Sequence, residues 1–155
     1  MVNLIMAVRA CGAAMTFALL TACSTDSTQT GGSNSLAGSS WRLVALESSD
    51  DAIGTVRSDD PAKYGMTLQA DGTAALRLDC NRGTGRWMSA ATNPRQGTMT
   101  FSPLAMTRAF CPPGSLDSRV ARELGFVRTY IIEGDTLRLI MMADGGSEIW
   151  SRVRD

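Results

Sequence analysis

From Leu36 to Val153 apolar residues recur mostly at every second position, the period of a strand with one buried face and one wet one. Trp41, Leu43 and Ala45 share one face of the first such segment, with Arg42, Val44 and Leu46 on the other. Glu47 to Ala62 breaks the pattern with five acidic residues, Gly54 and Pro61, and predicts a solvated loop with a short strand near Ile53 to Val56. Tyr64, Met66 and Leu68 then alternate with Gly65, Thr67 and Gln69. Asp71-Gly72 supplies a turn pair that accepts positive φ, and Ala74, Leu76, Leu78 and Cys80 resume the alternation. This hairpin is the clearest element, and its phase predicts Cys80 on the same buried face as Leu76 and Leu78. Asn81, Gly83 and Gly85 predict a tight corner before a short strand Arg86 to Met88. Ser89 to Gly97, with Asn93-Pro94, predicts a loop, and Thr98 to Ser102 a strand with Met99 and Phe101 inward.

One segment changes period. After Cys111-Pro112-Pro113-Gly114, Ser115 is placed to cap a helix with Asp117 in its first turn, where a carboxylate meets the positive end of the helix dipole. Leu116, Val120, Leu124 and Val127 form one stripe, while Arg119, Arg122, Glu123 and Arg128 lie away from it. Gly125 weakens this helix by about 1 kcal/mol relative to alanine. Strands at Tyr130 to Ile132, Leu137 to Met142 and Ile149 to Val153 complete the chain. The predicted architecture is α+β: a strongly bent antiparallel sheet or open barrel of about seven to eight short strands with one helix packed against it.

The first 35 of the 155 residues carry no such pattern. Residues 1–22 hold one charge, Arg9, then an uncharged run from Ala10 to Ala22 that ends in Leu20-Thr21-Ala22-Cys23. A positive start and a short apolar core describe a secretory signal, and the aliphatic residue at the third-last place with Cys next resembles a bacterial lipobox. The competing readings are a membrane-spanning helix, which needs about 20 apolar residues, and secretion with Cys23 unmodified. Acylation of Cys23 would anchor the protein to a membrane through several chains. Ser24 follows the cysteine in place of the aspartate that tends to retain lipoproteins in the inner membrane, which favours an outer-membrane protein facing the periplasm. Ser24 to Ser35 has no apolar residue to bury and reads as a flexible linker. The expected division is thus signal 1–22, lipidated cysteine and linker 23–35, and folded domain 36–155.

Composition narrows the chemistry. Fifteen basic residues balance fifteen acidic ones, which argues against a nucleic-acid partner. The chain has no histidine, so Ser-His-Asp and Cys-His nucleophiles, His-ligated zinc and a histidine general base are all excluded. No carboxylate spacing points to hydrolysis, and no cofactor motif is present, so the expectation is a protein that is not an enzyme. All but one of the basic residues are arginine, but they are scattered along the sequence, and a GC-rich genome gives the same bias. Asp50-Asp51 and Asp59-Asp60 lack EF-hand spacing and read as solvated acidic pairs.

The residues carry a resemblance. Leu36-Ala-Gly38-Ser-Ser-Trp41-Arg-Leu43, Asp79-Cys80-Asn81-Arg-Gly-Thr-Gly85-Arg-Trp87, Met99-Thr-Phe101 through Thr107 to Cys111, and Tyr130-Ile-Ile-Glu-Gly134-Asp-Thr-Leu137 together look like the META/HslJ-like domain over nearly all of Leu36 to Trp150. The usual corner has glycine before its cysteine; Asp79 stands there instead, which puts a glycine-type backbone at that point in doubt. The resemblance implies a strongly bent antiparallel sheet with a helix against it. It also implies an envelope lipoprotein without established enzymatic activity, in a family some of whose members are tied to heat stress or antibiotic tolerance.

Of four cysteines, Cys11 leaves with the signal and Cys23 takes lipid, which leaves Cys80 and Cys111 in an oxidising compartment. A disulfide follows; a metal site is the alternative, a poor one with two thiols and no histidine. Asn81, Gly83 and Gly85 are candidates for a backbone anion nest, beside the more ordinary role of turning the chain. Trp87 is the aromatic residue next to them that is worth a ligand test, whereas Trp41 and Trp150 read as core. Three activities fit these residues: an envelope domain acting through contact with another envelope component, a carrier of a small apolar ligand inside a curled sheet, or a lipid-anchored inhibitor of a cell-wall hydrolase or protease.

Overall fold

The computed structural model describes residues 36–50, 52–143 and 145–154. The expected signal, Cys23 and linker therefore lie outside the described residues. The period-two segments become β1 Ser39–Glu47, β2 Thr55–Arg57, β3 Tyr64–Leu68, β4 Thr73–Leu78, β5 Asn81–Asn93, β6 Gln96–Phe101, β7 Ala105–Met106, β8 Val127–Glu133, β9 Thr136–Met141 and β10 Ser147–Arg152. The helix is α1 Asp117–Leu124, and a 3-10 turn spans Pro61–Lys63.

All pairings are antiparallel, in the order β10-β9-β8-β6-β5-β4-β3-β1, and β10 pairs back onto β1, which closes eight strands into a barrel. β2 extends the far half of β1, and β7 continues β6 along β5. Inward positions fill the interior: Trp41, Tyr64, Met66, Met99, Leu124 and Trp150 are each 1% exposed or less. Val120 and Leu124 turn the helix stripe inward, with Leu116 and Ala121 packed against the same core. The open-or-bent sheet of the sequence reading is thus a closed barrel with one helix packed on it.

Several local expectations are corrected. Residues 81–85 are not a corner but the start of β5, which runs on through 86–93; the expected loop at 89–97 is strand on both sides of a tight Asn93–Gln96 turn. The true corner lies two residues earlier: Leu78 pairs with Asn81, so Asp79 and Cys80 alone join β4 to β5. Asp79 takes φ 55°, the left-handed conformation, so the glycine-type backbone is kept with aspartate, a residue that tolerates it better than most. That reversal ends the alternation, and Cys80 is exposed rather than buried with Leu78. Leu46, expected outside, is fully buried together with Ala45 because the β1–β10 register shifts between Leu43 and Ala45.

The helix differs at both ends. Its first flanking residue is Leu116, which has no side-chain cap, and Ser115 Oγ lies 3.4 Å from Asp117 N. The start is held instead by Leu116 N, which donates to Tyr64 Oη at 2.9 Å. Gly125 ends the helix, so Val127 is buried from β8 and not from the stripe. Arg119 and Glu123, expected in water, are mostly buried and pair at 2.7 Å.

Candidate functional site

The segment after β6 crosses β5 as a strap, and β5 is built to receive it. A Cβ on Gly85 would stand 2.7 Å from Leu104 Cδ2, and one on Gly83 would touch Leu104 and Met106 at 3.5 Å. The glycines are therefore where the strap lies against the strand. Being extended, successive residues of β5 direct their N–H groups to opposite sides. Arg82 N donates to Thr107 Oγ1 at 2.9 Å and Arg86 N to Ser102 Oγ at 2.9 Å, both on the strap.

Asn81 is the polar hub. It is buried, and its Oδ1 accepts from Thr107 Oγ1 at 2.9 Å and from Ala109 N at 2.8 Å. Its Nδ2 donates to Ala109 O at 3.1 Å and to Asp117 Oδ2 at 2.9 Å, with Cys111 Sγ at 3.3 Å. One amide thus ties β5 to the strap and to the first turn of α1. The disulfide Cys80–Cys111 fastens the β4–β5 corner to the strap at the same place, with Cys111 Sγ being the sulfur beside Asn81. Beside them opens a surface cleft of about 430 Å³ lined by Asn81, Leu104, Met106, Phe110, Asp117 and Ala121, with Phe110 fully exposed.

Trp87, the remaining candidate, is 8% exposed, and its Nε1 donates to Gln69 O at 3.1 Å. It faces the core on the far side of Gly85 from the disulfide, so the structure groups Asn81, Gly83, Cys80 and Cys111 but leaves Trp87 apart. The acidic pairs are likewise taken up locally: Asp59 pairs with Lys63 at 2.8 Å, and Asp60 Oδ1 accepts from Ala62 N at 2.8 Å. Asp51 lies outside the described residues. Among the described residues no cluster of three or more His, Cys, Asp or Glu side chains is placed to hold a metal ion.

A second polar site was missed in the reading of the sequence. Glu148 is 0% exposed inside the barrel, one inward step from Trp150 on β10. Burial pushes its carboxyl up to about 8, against the lowering effect of the Trp150 hydrogen bond; Glu123 nearby adds to the rise and Arg119 offsets it. Glu148 Oε1 and Glu123 Oε2 are buried without a hydrogen-bond partner. The usable signal was parity: Glu148 shares a strand face with Trp150.

A closed antiparallel barrel with one packed helix and a stapled strap defines a small all-antiparallel α+β domain. The META domain family model matches residues 34–152, and the chain belongs to that family. Among curated proteins none matches. A solved protein from Burkholderia xenovorans, determined by NMR, is similar in fold with TM-score 0.59 and 22% identity over 77% of this chain and 85% of that one. A crystal structure of a duf4847 family protein from Bacteroides vulgatus ATCC 8482 is similar with TM-score 0.52 and 13% identity, over 81% of this chain and 99% of that one.

Proposed function

We propose that this protein is a lipoprotein of the bacterial outer membrane, anchored through Cys23 and facing the periplasm, whose META domain supports envelope integrity or stress tolerance by binding rather than by catalysis. The observation that carries the reading is the pairing of two cysteine roles in one chain. Leu20-Thr21-Ala22-Cys23 reads as a lipid-attachment signal, and Cys80–Cys111 is a disulfide joining an exposed corner to the strap, a bond at home in an oxidising compartment. Binding rather than catalysis is further supported by the absence from the sequence of histidine, the usual general base near neutral pH. An apolar carrier is less favoured, because Trp41, Met99 and Trp150 fill the barrel interior.

The test is fractionation of Cys23→Ser against wild type, with membranes washed in about 1 M salt, where the screening length is about 3 Å and loose electrostatic contacts are lost. The variant is expected in the soluble fraction, and retention with washed membranes overturns the anchor. A deletion strain whose sensitivity to heat, detergent and hydrophobic antibiotics is unchanged overturns the envelope role.

A further inference from the structure

Strand register collects arginines that the sequence scatters. Arg42 on β1 pairs with Gly65 on β3, Gly65 with Arg77 on β4, and Arg77 with Arg82 on β5. The four positions form one row across four strands on the outer wall of the barrel, and the three arginines are exposed. Opposing Arg77 to Arg82 is unfavourable by charge repulsion, yet among the described residues none of the three guanidinium groups has an ion pair or a side-chain hydrogen bond. The neighbouring row is Ser40, Thr67, Ala75 and Thr84, all short, so the guanidinium groups stand above their surroundings. Gly65 leaves a gap in the row, and a shallow groove of about 440 Å³ runs there with Arg42, Arg77 and Arg82 in its lining and no acidic residue. Asp71 and Asp79, the acids nearest in sequence to Arg77 and Arg82, sit in the turns at the two ends of β4; Glu47, nearest to Arg42, pairs with Arg138, and Asp59, just before the groove-lining Pro61 and Ala62, pairs with Lys63.

We propose that this outer face of β1, β3, β4 and β5 docks on a bilayer surface of anionic phospholipid, with Arg42, Arg77 and Arg82 contacting headgroup phosphates. Guanidinium is suited to that contact because its planar fork meets phosphate oxygens two at a time. A lipid surface is favoured over a soluble anion by where the chain enters this face. Ser40 belongs to the patch, and the segment Ser24–Ser35 just before the domain reaches about 40 Å at most. This step rests on the lipid-anchor reading above, since an anchored Cys23 keeps the face at high effective concentration next to headgroups. The wall is polar, so the contact is electrostatic and superficial, without insertion into the hydrocarbon.

The test uses the chain from Ser24 onward, which lacks the anchor and the apolar leader. Its barrel is closed by its own β1–β10 pairing, around a described core that lies wholly between Leu36 and Trp150. It is cosedimented with vesicles of phosphatidylcholine alone and of phosphatidylcholine with phosphatidylglycerol. Binding is expected only to the anionic vesicles and is expected to fall steeply with salt. The triple variant Arg42→Gln, Arg77→Gln, Arg82→Gln is expected to weaken it by about a hundredfold. A triple variant of equal charge elsewhere, Arg57→Gln, Arg108→Gln, Arg122→Gln, is expected to weaken it by less than about threefold. Circular dichroism melts of both variants verify the fold. The proposal is overturned by equal loss in the two variants, by no binding to anionic vesicles, or by inorganic phosphate displacing the protein at matched phosphate concentration. Because the anchor is absent from this experiment, failure here leaves the Cys23→Ser fractionation result standing, and failure there leaves the vesicle result standing.

Discussion

Glu148 Oε2 accepts a hydrogen bond from Trp150 Nε1 at 2.9 Å, both side chains being fully enclosed by the barrel. The indole satisfies one carboxyl oxygen and leaves the other unpartnered near a second, mostly buried acid, Glu123.

This arrangement makes stability depend on pH. Glu148 keeps its proton in the fold to about 8, whereas in the unfolded chain it ionises near 4.5. Between those values the folded state holds one proton more, so the stability that the neutral carboxyl contributes is complete below 4.5 and is lost as pH rises towards 8. The slope is about 1.4 kcal/mol per pH unit, since one proton separates the two states. Urea unfolding from pH 5 to 8 is expected to show falling stability from this group. Glu148→Gln, which retains the acceptor for Trp150, is expected to flatten that decline and to be the more stable protein at the alkaline end.

Asn81→Asp tests the polar hub. The substitution replaces two donors with an acceptor that faces Ala109 O and the Asp117 carboxylate, so two acceptors are set against each other in a buried place. A loss of about 3 kcal/mol is expected, read from thermal or denaturant unfolding. Asn81→Ala, which removes the partners without adding charge, is expected to cost less.

Cys80→Ala with Cys111→Ala opens a loop spanning 31 positions. In the chain-entropy description a closed loop of this length stabilises by about 4 kcal/mol. The double variant is expected to melt well below wild type, and wild type under reductant is expected to fall to nearly the same temperature. Equal melting of all three would remove the staple from the account of stability.

Asp79→Gly is expected to raise stability by about 0.5–1 kcal/mol, since φ 55° costs glycine nothing. Asp79→Val is expected to lower it by more than that. Chemical denaturation of the two variants gives the sign directly.

These positions also show which parts of the fold were legible. Wherever alternation ran unbroken, as at Tyr64, Met66, Leu68 and at Ala74, Leu76, Leu78, the buried face was read correctly, because a strand buried on one side must repeat every two residues. Reading failed where one backbone angle changed the phase. Asp79 turned Cys80 outward, and the shifted register near Ala45 turned Leu46 inward. Gly83 and Gly85 suggested a bend because glycine usually marks one, but here they make room for Leu104, a contact set by tertiary packing. The arginine row was out of reach for a different reason: Arg42 and Arg77 are neighbours only through Gly65, and nothing local to any of the three states that pairing.

The β1–β10 seam has a consequence for how the protein is made. β1 is the first strand of the domain to be synthesised and β10 the last, and Val153 N donates to Ser40 O where the two meet. The barrel cannot shut until β10 is made and free, so β1 waits with an unpaired flank while about a hundred residues follow, the most distant contact and so the slowest kind to form. A chain that stops before β10 would leave β1 and β9 as open sheet edges that invite pairing with another molecule.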